Sequence, residues 1–304
     1  MLKVSIIGAG NVGSTAAAYI SQSPEIGEIV LLDIREGFAE GKAMDIAQSL
    51  ALLFPTKVRG VTNDYEATAN SDIIVVTSGV PRKPGMTREE LVGTNAKIVE
   101  SVLREAQEYS PNAIYIMVSN PMDTMTYLTL KVLDVPENHV LGMGGLLDSS
   151  RFTYYLSQAL NKPTEYIHAY VIGGHGDTTM VPVISQATCG GIKVTELLSK
   201  EEQQKVIEQT MKGGATLTSM IGTSAWVAPA MCITRMVYEI TNNFTRIIPC
   251  SVYRPEYGLC IGSRVSIGSN GKLEIIPEKE YCSEEELALF MKSVEAVRNT
   301  NKAL

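Results

Sequence analysis

Nowhere in the sequence do roughly 18 apolar residues run together, the length a membrane-spanning helix needs, and no block of like charge exceeds the short cluster Glu284 to Glu286. The first absence excludes a membrane span. The second, with 26 basic against 33 acidic residues and a net charge of −7, leaves no basic face for nucleic acid or an anionic membrane. Histidine is scarce at three residues, and the five cysteines (Cys189, Cys232, Cys250, Cys260, Cys282) are odd in number and scattered. Without a C-x-x-C pair or a close Cys/His cluster, neither a disulfide framework nor a metal site is expected, and a reducing, cytoplasmic setting is the simplest one. The 25 glycines and 13 prolines in 304 residues are an ordinary globular share, which argues against disorder or a fibrous repeat. Lys3, the run Val4 to Ile7 and Ala16 to Ala18 imitate a signal peptide, but four apolar residues broken by Gly8 are too short for its core.

What is present is an alternation. Apolar runs at Leu2 to Ile7, Glu28 to Asp33, Lys57 to Val61, Ile73 to Thr77, Ala113 to Ser119 and Val140 to Met143 are separated by helical patterns at Ser14 to Ser21, Ala39 to Leu50, Thr87 to Tyr109 and after Pro121. Strands without a polar face, spaced by amphipathic helices, predict an α/β Rossmann-type doubly wound parallel sheet covered on both sides. After Gly145 the pattern changes. Helices are expected at Ser149 to Leu160 and from a Ser199/Glu202 capping box, with strands near Tyr166 to Ile172. A separate antiparallel part follows at Ile247 to Tyr253, Leu259 to Ile267 and Leu273 to Ile276, with a hairpin signal at Asn270-Gly271. A last helix opens on Ser283/Glu286 and gathers Leu287, Phe290, Met291, Val294 and Val297 on one face. The expected domains are therefore 1–145, the dinucleotide-binding sheet, and 146–304, a mixed α+β catalytic domain. No repeat or flexible linker divides them.

Gly8-Ala9-Gly10-Asn11-Val12-Gly13 is G-x-G-x-x-G placed directly after the first strand, and Asp33 ends the second strand. Gly8 permits a tight turn, Gly10 lets backbone N–H groups approach a pyrophosphate, and Gly13 lets the helix pack closely. The helix N-terminus adds positive potential. Asp33 would accept from a ribose diol and repel a 2′-phosphate, which favours NAD over NADP. The loop Gly79 to Arg88 carries Arg82 and Arg88 at the carboxyl edge of the sheet, where a planar guanidinium suits a carboxylate and a closing loop excludes water. Asp148 and Arg151, three apart, project from one side of a helix. Of the histidines, His139 and His168 read as structural. His175 lies in Gly173-Gly174-His175-Gly176-Asp177, where little bulk keeps a substrate from the imidazole, and a carboxylate partner would make it a general acid/base.

In order along the chain, the Gly8 to Gly13 turn with Asp33, the Gly79 to Arg88 loop, Val118-Ser119-Asn120-Pro121, Leu147 to Phe152 and Gly173 to Asp177 together resemble the lactate/malate dehydrogenase family. The resemblance implies His175 as acid/base with Asp148 as its partner, Arg151 on the substrate's 1-carboxylate, Arg88 on the reacting carbonyl and Asn120 beside that oxygen. It further implies cofactor contacts from Gly8, Gly10, Asn11, Val12, Gly13, Asp33, Asn95, Val118 and Asn120, no metal, a homodimer or homotetramer, and a place in the tricarboxylic acid cycle. Arg82 points to the malate branch, since lactate-specific members typically carry glutamine there. A second substrate carboxylate answers that cation, whereas leaving one partner of a buried charge pair alone costs roughly 2–5 kcal/mol, or about 30- to 5,000-fold. Lactate or another 2-hydroxy acid is the alternative substrate. Two departures are noted. His175 to Pro182 carries an extra residue relative to many members, so no pocket contact is assigned there, and Gly222-Thr223-Ser224-Ala225 resembles the pocket floor without an assigned role.

Overall fold

The computed structural model describes residues 1–80, 87–242, 246–268 and 273–304, with Arg88 through its backbone alone. Strand and helix alternate through β1 (Leu2–Ile7), α1 (Asn11–Ile20), β2 (Ile26–Asp33), α2 (Phe38–Leu50), β3 (Lys57–Thr62), β4 (Ile73–Val76), α3 (Arg88–Tyr109), β5 (Ile114–Met117), α4 (Met122–Val132) and β6 (Val140–Gly142). The strands are parallel in the order β3-β2-β1-β4-β5-β6. Buried apolar runs require cover on both faces, and the residues sort accordingly. Ile6, Val75 and Ile116 join Ala16, Ala17 and Ile20 of α1 on one side. Their neighbours Ile7, Val76 and Met117 join Val99 and Leu103 of α3 and Met125 of α4 on the other. Successive strand side chains point to opposite faces, so each strand feeds two cores.

The remaining elements are α5 (Gly144–Leu160), β7 (Ile167–His168), β8 (Val171–Gly173), β9 (Met180–Pro182), β10 (Thr188–Cys189), β11 (Ile192–Lys193), α6 (Val194–Leu197), α7 (Lys200–Ile221), α8 (Val227–Asn242), β12 (Ile247–Arg254), β13 (Leu259–Ile267), β14 (Leu273–Ile276) and α9 (Glu284–Asn301). The antiparallel strands are not a separate sheet. They extend the parallel one as β6-β12-β13-β8-β9, with Ser251 of β12 opposite Gly142 of β6 and β14 alongside β13. A small sheet β11-β10-β7 stands apart.

Several expectations need correction. Helix α5 begins at Gly144 rather than Ser149, because its two leading glycines serve close packing rather than breaking the chain: a Cβ on Gly144 would lie 2.4 Å from Met122 and 2.6 Å from His175. The strands expected near Tyr166 to Ile172 are β7 and β8, but they belong to different sheets. Helix α8 was not anticipated, since Pro229 and β-branched residues weigh against a helix. Pro229 falls in its first turn, where an N–H has no intrahelical acceptor to lose. On α9, Phe290, Val294 and Val297 are buried, but Met291 is exposed. The Asn270-Gly271 turn lies outside the described residues, although its flanking strands pair antiparallel with Ile267 opposite Leu273. The capping boxes at Ser199/Glu202 and Ser283/Glu286 both form.

Gly60 of β3 tests how closely helix and sheet approach, since a Cβ there would lie 2.1 Å from the Ala39 carbonyl oxygen of α2. Gly60→Ala is expected to destabilise by about 1–3 kcal/mol, the usual cost of overpacking, read as a lower urea midpoint at unchanged m-value.

Candidate active site

The carboxyl ends of β1, β4 and β5 open into a cleft of about 520 Å³ whose walls include Val12, Asn95, Asn120, Arg151 and His175. At its floor the first turn is shaped by what each glycine avoids. Gly8 has φ of +110°, and a Cβ there would lie 2.6 Å from the Thr77 hydroxyl. A Cβ on Gly13 would lie 2.0 Å from the Gly8 carbonyl oxygen. Gly10, by contrast, faces open space, so the backbone at the start of α1 stands bare toward solvent. Asn11 opens the helix, and its first N–H groups have no intrahelical acceptors. A concave, side-chain-free turn at a helix N-terminus fits a dinucleotide pyrophosphate. Asp33 closes the turn from β2: its Oδ2 accepts from the Ala9 N–H at 2.9 Å and its Oδ1 from the Arg35 N–H at 3.0 Å. Oδ1 also meets the Arg35 guanidinium at 3.4 Å, while Oδ2 keeps a second acceptor direction for a diol.

Asn95 of α3 acts on the cleft wall. Its Oδ1 accepts from the Val80 N–H at 2.9 Å, and its Nδ2 donates to the Val80 and Asn120 carbonyls at 3.2 and 2.7 Å. The amide therefore ties the start of the Gly79 to Arg88 loop to the segment after β5, where Val118 and Asn120 line the cleft.

On the opposite wall, α5 presents Asp148 and Arg151 one turn apart. Asp148 is almost wholly buried. Its Oδ1 meets the Arg151 guanidinium at 3.2 Å and its Oδ2 meets His175 Nδ1 at 2.7 Å. Because a carboxylate only accepts, this contact assigns the proton to Nδ1 and leaves Nε2 as the ring's free basic atom. Burial opposes the imidazolium, but the charge and hydrogen bond of Asp148 outweigh it, with Asp123 adding to them and Arg151 opposing, and His175 is held above its ordinary pKa. Arg151 Nε is buried without a partner. Gly213 and Gly214 of α7 leave room for that side chain, since a Cβ on either would come 3.2 or 3.4 Å from it.

The structure thus brings His175, Arg151, Asn120 and Val12 of the glycine turn to one cleft, with Asp148 buried against His175 and Arg151. Arg82 lies outside the described residues. Arg88 opens α3 behind a Thr87/Glu90 capping box. His168 is exposed on β7, and His139 ends a single helical turn. Sequence reasoning missed Asp123 and Ser251. An acid in a helix's first turn reads as an ordinary answer to the helix dipole, and a serine inside a strand carries no local signal at all.

Over its whole length the chain is similar to known proteins of one family. Residues 2–142 match the family model described as lactate/malate dehydrogenase, NAD binding domain, and residues 146–303 match its alpha/beta C-terminal domain. The chain is 56% identical to a protein named malate dehydrogenase from Parabacteroides distasonis, covering 100% of this chain and 98% of that one. It superimposes with a TM-score of 0.93 on apo malate dehydrogenase from Picrophilus torridus, at 37% identity over 99% of this chain and 96% of the other. A TM-score of 0.93 also relates it to a lactate dehydrogenase from Cryptosporidium parvum solved with lactic acid and nicotinamide adenine dinucleotide, at 32% identity over 99% and 97% of the two chains. The chain belongs to the lactate/malate dehydrogenase family.

Proposed function

We propose that this chain transfers hydride reversibly between (S)-malate and NAD, giving oxaloacetate and NADH. The observation that carries the reading is the His175–Asp148 contact of 2.7 Å, set in one cleft with Arg151 and the glycine turn. The pyrophosphate would rest on the backbone of Gly8, Gly10 and Gly13, with Asp33 toward the adenosine ribose and Asn11, Val12, Asn95, Val118 and Asn120 along the remaining wall. When bound, NAD supplies the acceptor for the C2 hydride.

The chain's own residues do the rest. Arg151 pairs with the C1 carboxylate and orients C2. His175 takes the hydroxyl proton at Nε2, while Asp148 holds the ring's tautomer and offsets the charge it gains. In the reverse direction the imidazolium returns that proton to the developing alkoxide, with Asn120 and Arg88 toward the same oxygen. Arg82 answers the second carboxylate, and this favours malate over lactate, as does the 56% identity to a protein named malate dehydrogenase. Its loop, closing over the cleft, would exclude water.

The same reading divides labour near residue 145 and places the enzyme in the tricarboxylic acid cycle. It also carries an assembly of two or four copies, a proposal supported by exposed Met44 of α2 and Met231 of α8. A cytoplasmic setting is supported by five cysteines that form no disulfide. Among the described residues no helix is long and apolar enough to cross a membrane.

An assay of NADH oxidation at 340 nm tests the substrate: oxaloacetate should be consumed far faster than pyruvate, and the reverse order would replace malate by lactate. Arg82→Gln should lower kcat/KM for oxaloacetate by about 30-fold or more while sparing pyruvate. His175→Asn should cost roughly 10²–10⁴ in kcat, the usual worth of a general acid/base, at unchanged NADH affinity. Since the proton acceptor must be neutral, kcat/KM for malate should rise as pH rises through the elevated His175 pKa, and that for oxaloacetate should fall. Asp148→Asn should move both limbs to lower pH, measured as paired pH profiles.

A further inference from the structure

The carboxylate of Asp123 meets the main chain of His175, whereas that of Asp148 meets its ring. Asp123 stands in the first turn of α4 and is 5% exposed. Its Oδ2 accepts the main-chain N–H of His175 at 2.6 Å, and its Oδ1 accepts the hydroxyl of Ser251 at 2.7 Å. Ser251 is wholly buried in β12. Its charge rests on these two hydrogen bonds and the N-terminal end of α4. Below His175, a Cβ on Gly144 would strike the imidazole's own Cβ and Cγ at 2.6 Å, so the backbone there is seated with no slack. The preceding Gly174 N–H is tied to Ser293 of α9 at 2.7 Å.

We infer that Asp123, held by Ser251, is a positioning residue for the reaction: it fixes the backbone from which the His175 ring projects and adds a second buried negative charge that favours the imidazolium. The inference rests on the dehydrogenase reading for its catalytic meaning and on the geometry for the rest. A carboxylate costs desolvation in such a place, and burial pushes Asp123 above the usual carboxylate range against the hydrogen bonds from His175 and Ser251 that lower it. An asparagine would fill the same space and accept the same N–H, so support alone does not require the charge. The other groups around the ring are Asp148 and Arg151 from α5 and Asp177 in its own loop. The buried Cys260 thiol of β13 is pushed up by burial first and then by the charges of Asp123 and Glu137. From α9 the approach is by the uncharged Ser293 and Val297.

Three variants test it: Asp123→Asn, Asp123→Ala and Ser251→Ala. The His175 titration is followed by NMR of its Cε1–H in the substrate-free protein, assigned with His175→Asn, alongside pH profiles of malate oxidation. Asp123→Asn should lower the His175 midpoint by about half a unit or more, since a nearby carboxylate is removed. The acid limb of kcat/KM should move with it, at unchanged NADH Kd. Ser251→Ala keeps the charge and loses one anchor, so kcat should fall severalfold with the midpoint in place. Asp123→Ala should combine both losses, and if it does not fold, the other two variants decide. A midpoint unmoved in Asp123→Asn overturns the proposal, whether kcat falls or not. Wild-type turnover of oxaloacetate checks the dehydrogenase reading separately, and its absence would leave the NMR midpoint still able to confirm or overturn the role of Asp123 toward His175.

Discussion

The hydrogen bond between Asp148 and His175 joins two segments that share no sheet and no helix. Asp148 stands in the second turn of α5, and His175 follows β8, 27 positions further along the chain. A buried carboxylate beside a ring nitrogen is favourable only if both are held, because an unpartnered charge in that position would cost several kcal/mol by order of magnitude. The rest of the architecture serves that condition. Strand β12 carries the antiparallel strands onto the edge of the parallel sheet at β6, which sets α5 against the mouth of the dinucleotide turn.

That junction is built from close backbone approaches. A Cβ on Gly142 of β6 would lie 2.3 Å from the Met122 sulfur and 2.8 Å from the Ser251 Cβ, and one on Gly262 of β13 would lie 2.4 Å from the Gly173 carbonyl oxygen. Gly262 and Gly173 stand opposite each other in the β13–β8 pair, and Gly173 takes a positive φ of +84° two residues before His175. The cost of such glycines is backbone entropy, roughly 0.5–1 kcal/mol each relative to alanine. What they secure is a short route from strand to ring, with no side chain on Gly173 or Gly174.

Electrostatics then sets what the cleft accepts. Asp123, Asp148 and Arg151 surround a histidine that is neutral in one direction of the reaction and charged in the other. With both carboxylates ionised the described cluster is thus net negative or neutral, and it offers a dianion no net positive charge. On the proposed reading, Arg82 and Arg88, which neighbour the cleft-lining Val80 and Leu91 in sequence, would supply positive charge to a dianion. The bare α1 N-terminus serves the pyrophosphate in the same way.

Short-range patterns were sufficient for much of this protein. Apolar runs gave way to helices at the right places, the glycine turn and Asp33 lay where a dinucleotide needs them, and Ser199/Glu202 and Ser283/Glu286 announced helix starts that formed. The residues His175, Asp148 and Arg151 were legible because each sits in a local motif. Helix α8, the early start of α5 and the merging of the antiparallel strands into the main sheet were not, since proline and glycine signal a break wherever packing does not overrule them. Asp123 and Ser251 belong to the same class. They meet across 128 residues, and Asp123 meets His175 across 52. By itself the amino-acid order determined the element types and the chemistry on offer, because those follow from periodicity and neighbouring residues. Which carboxylates face the imidazole was decided only in three dimensions, where sheet register and van der Waals contact bring distant segments together.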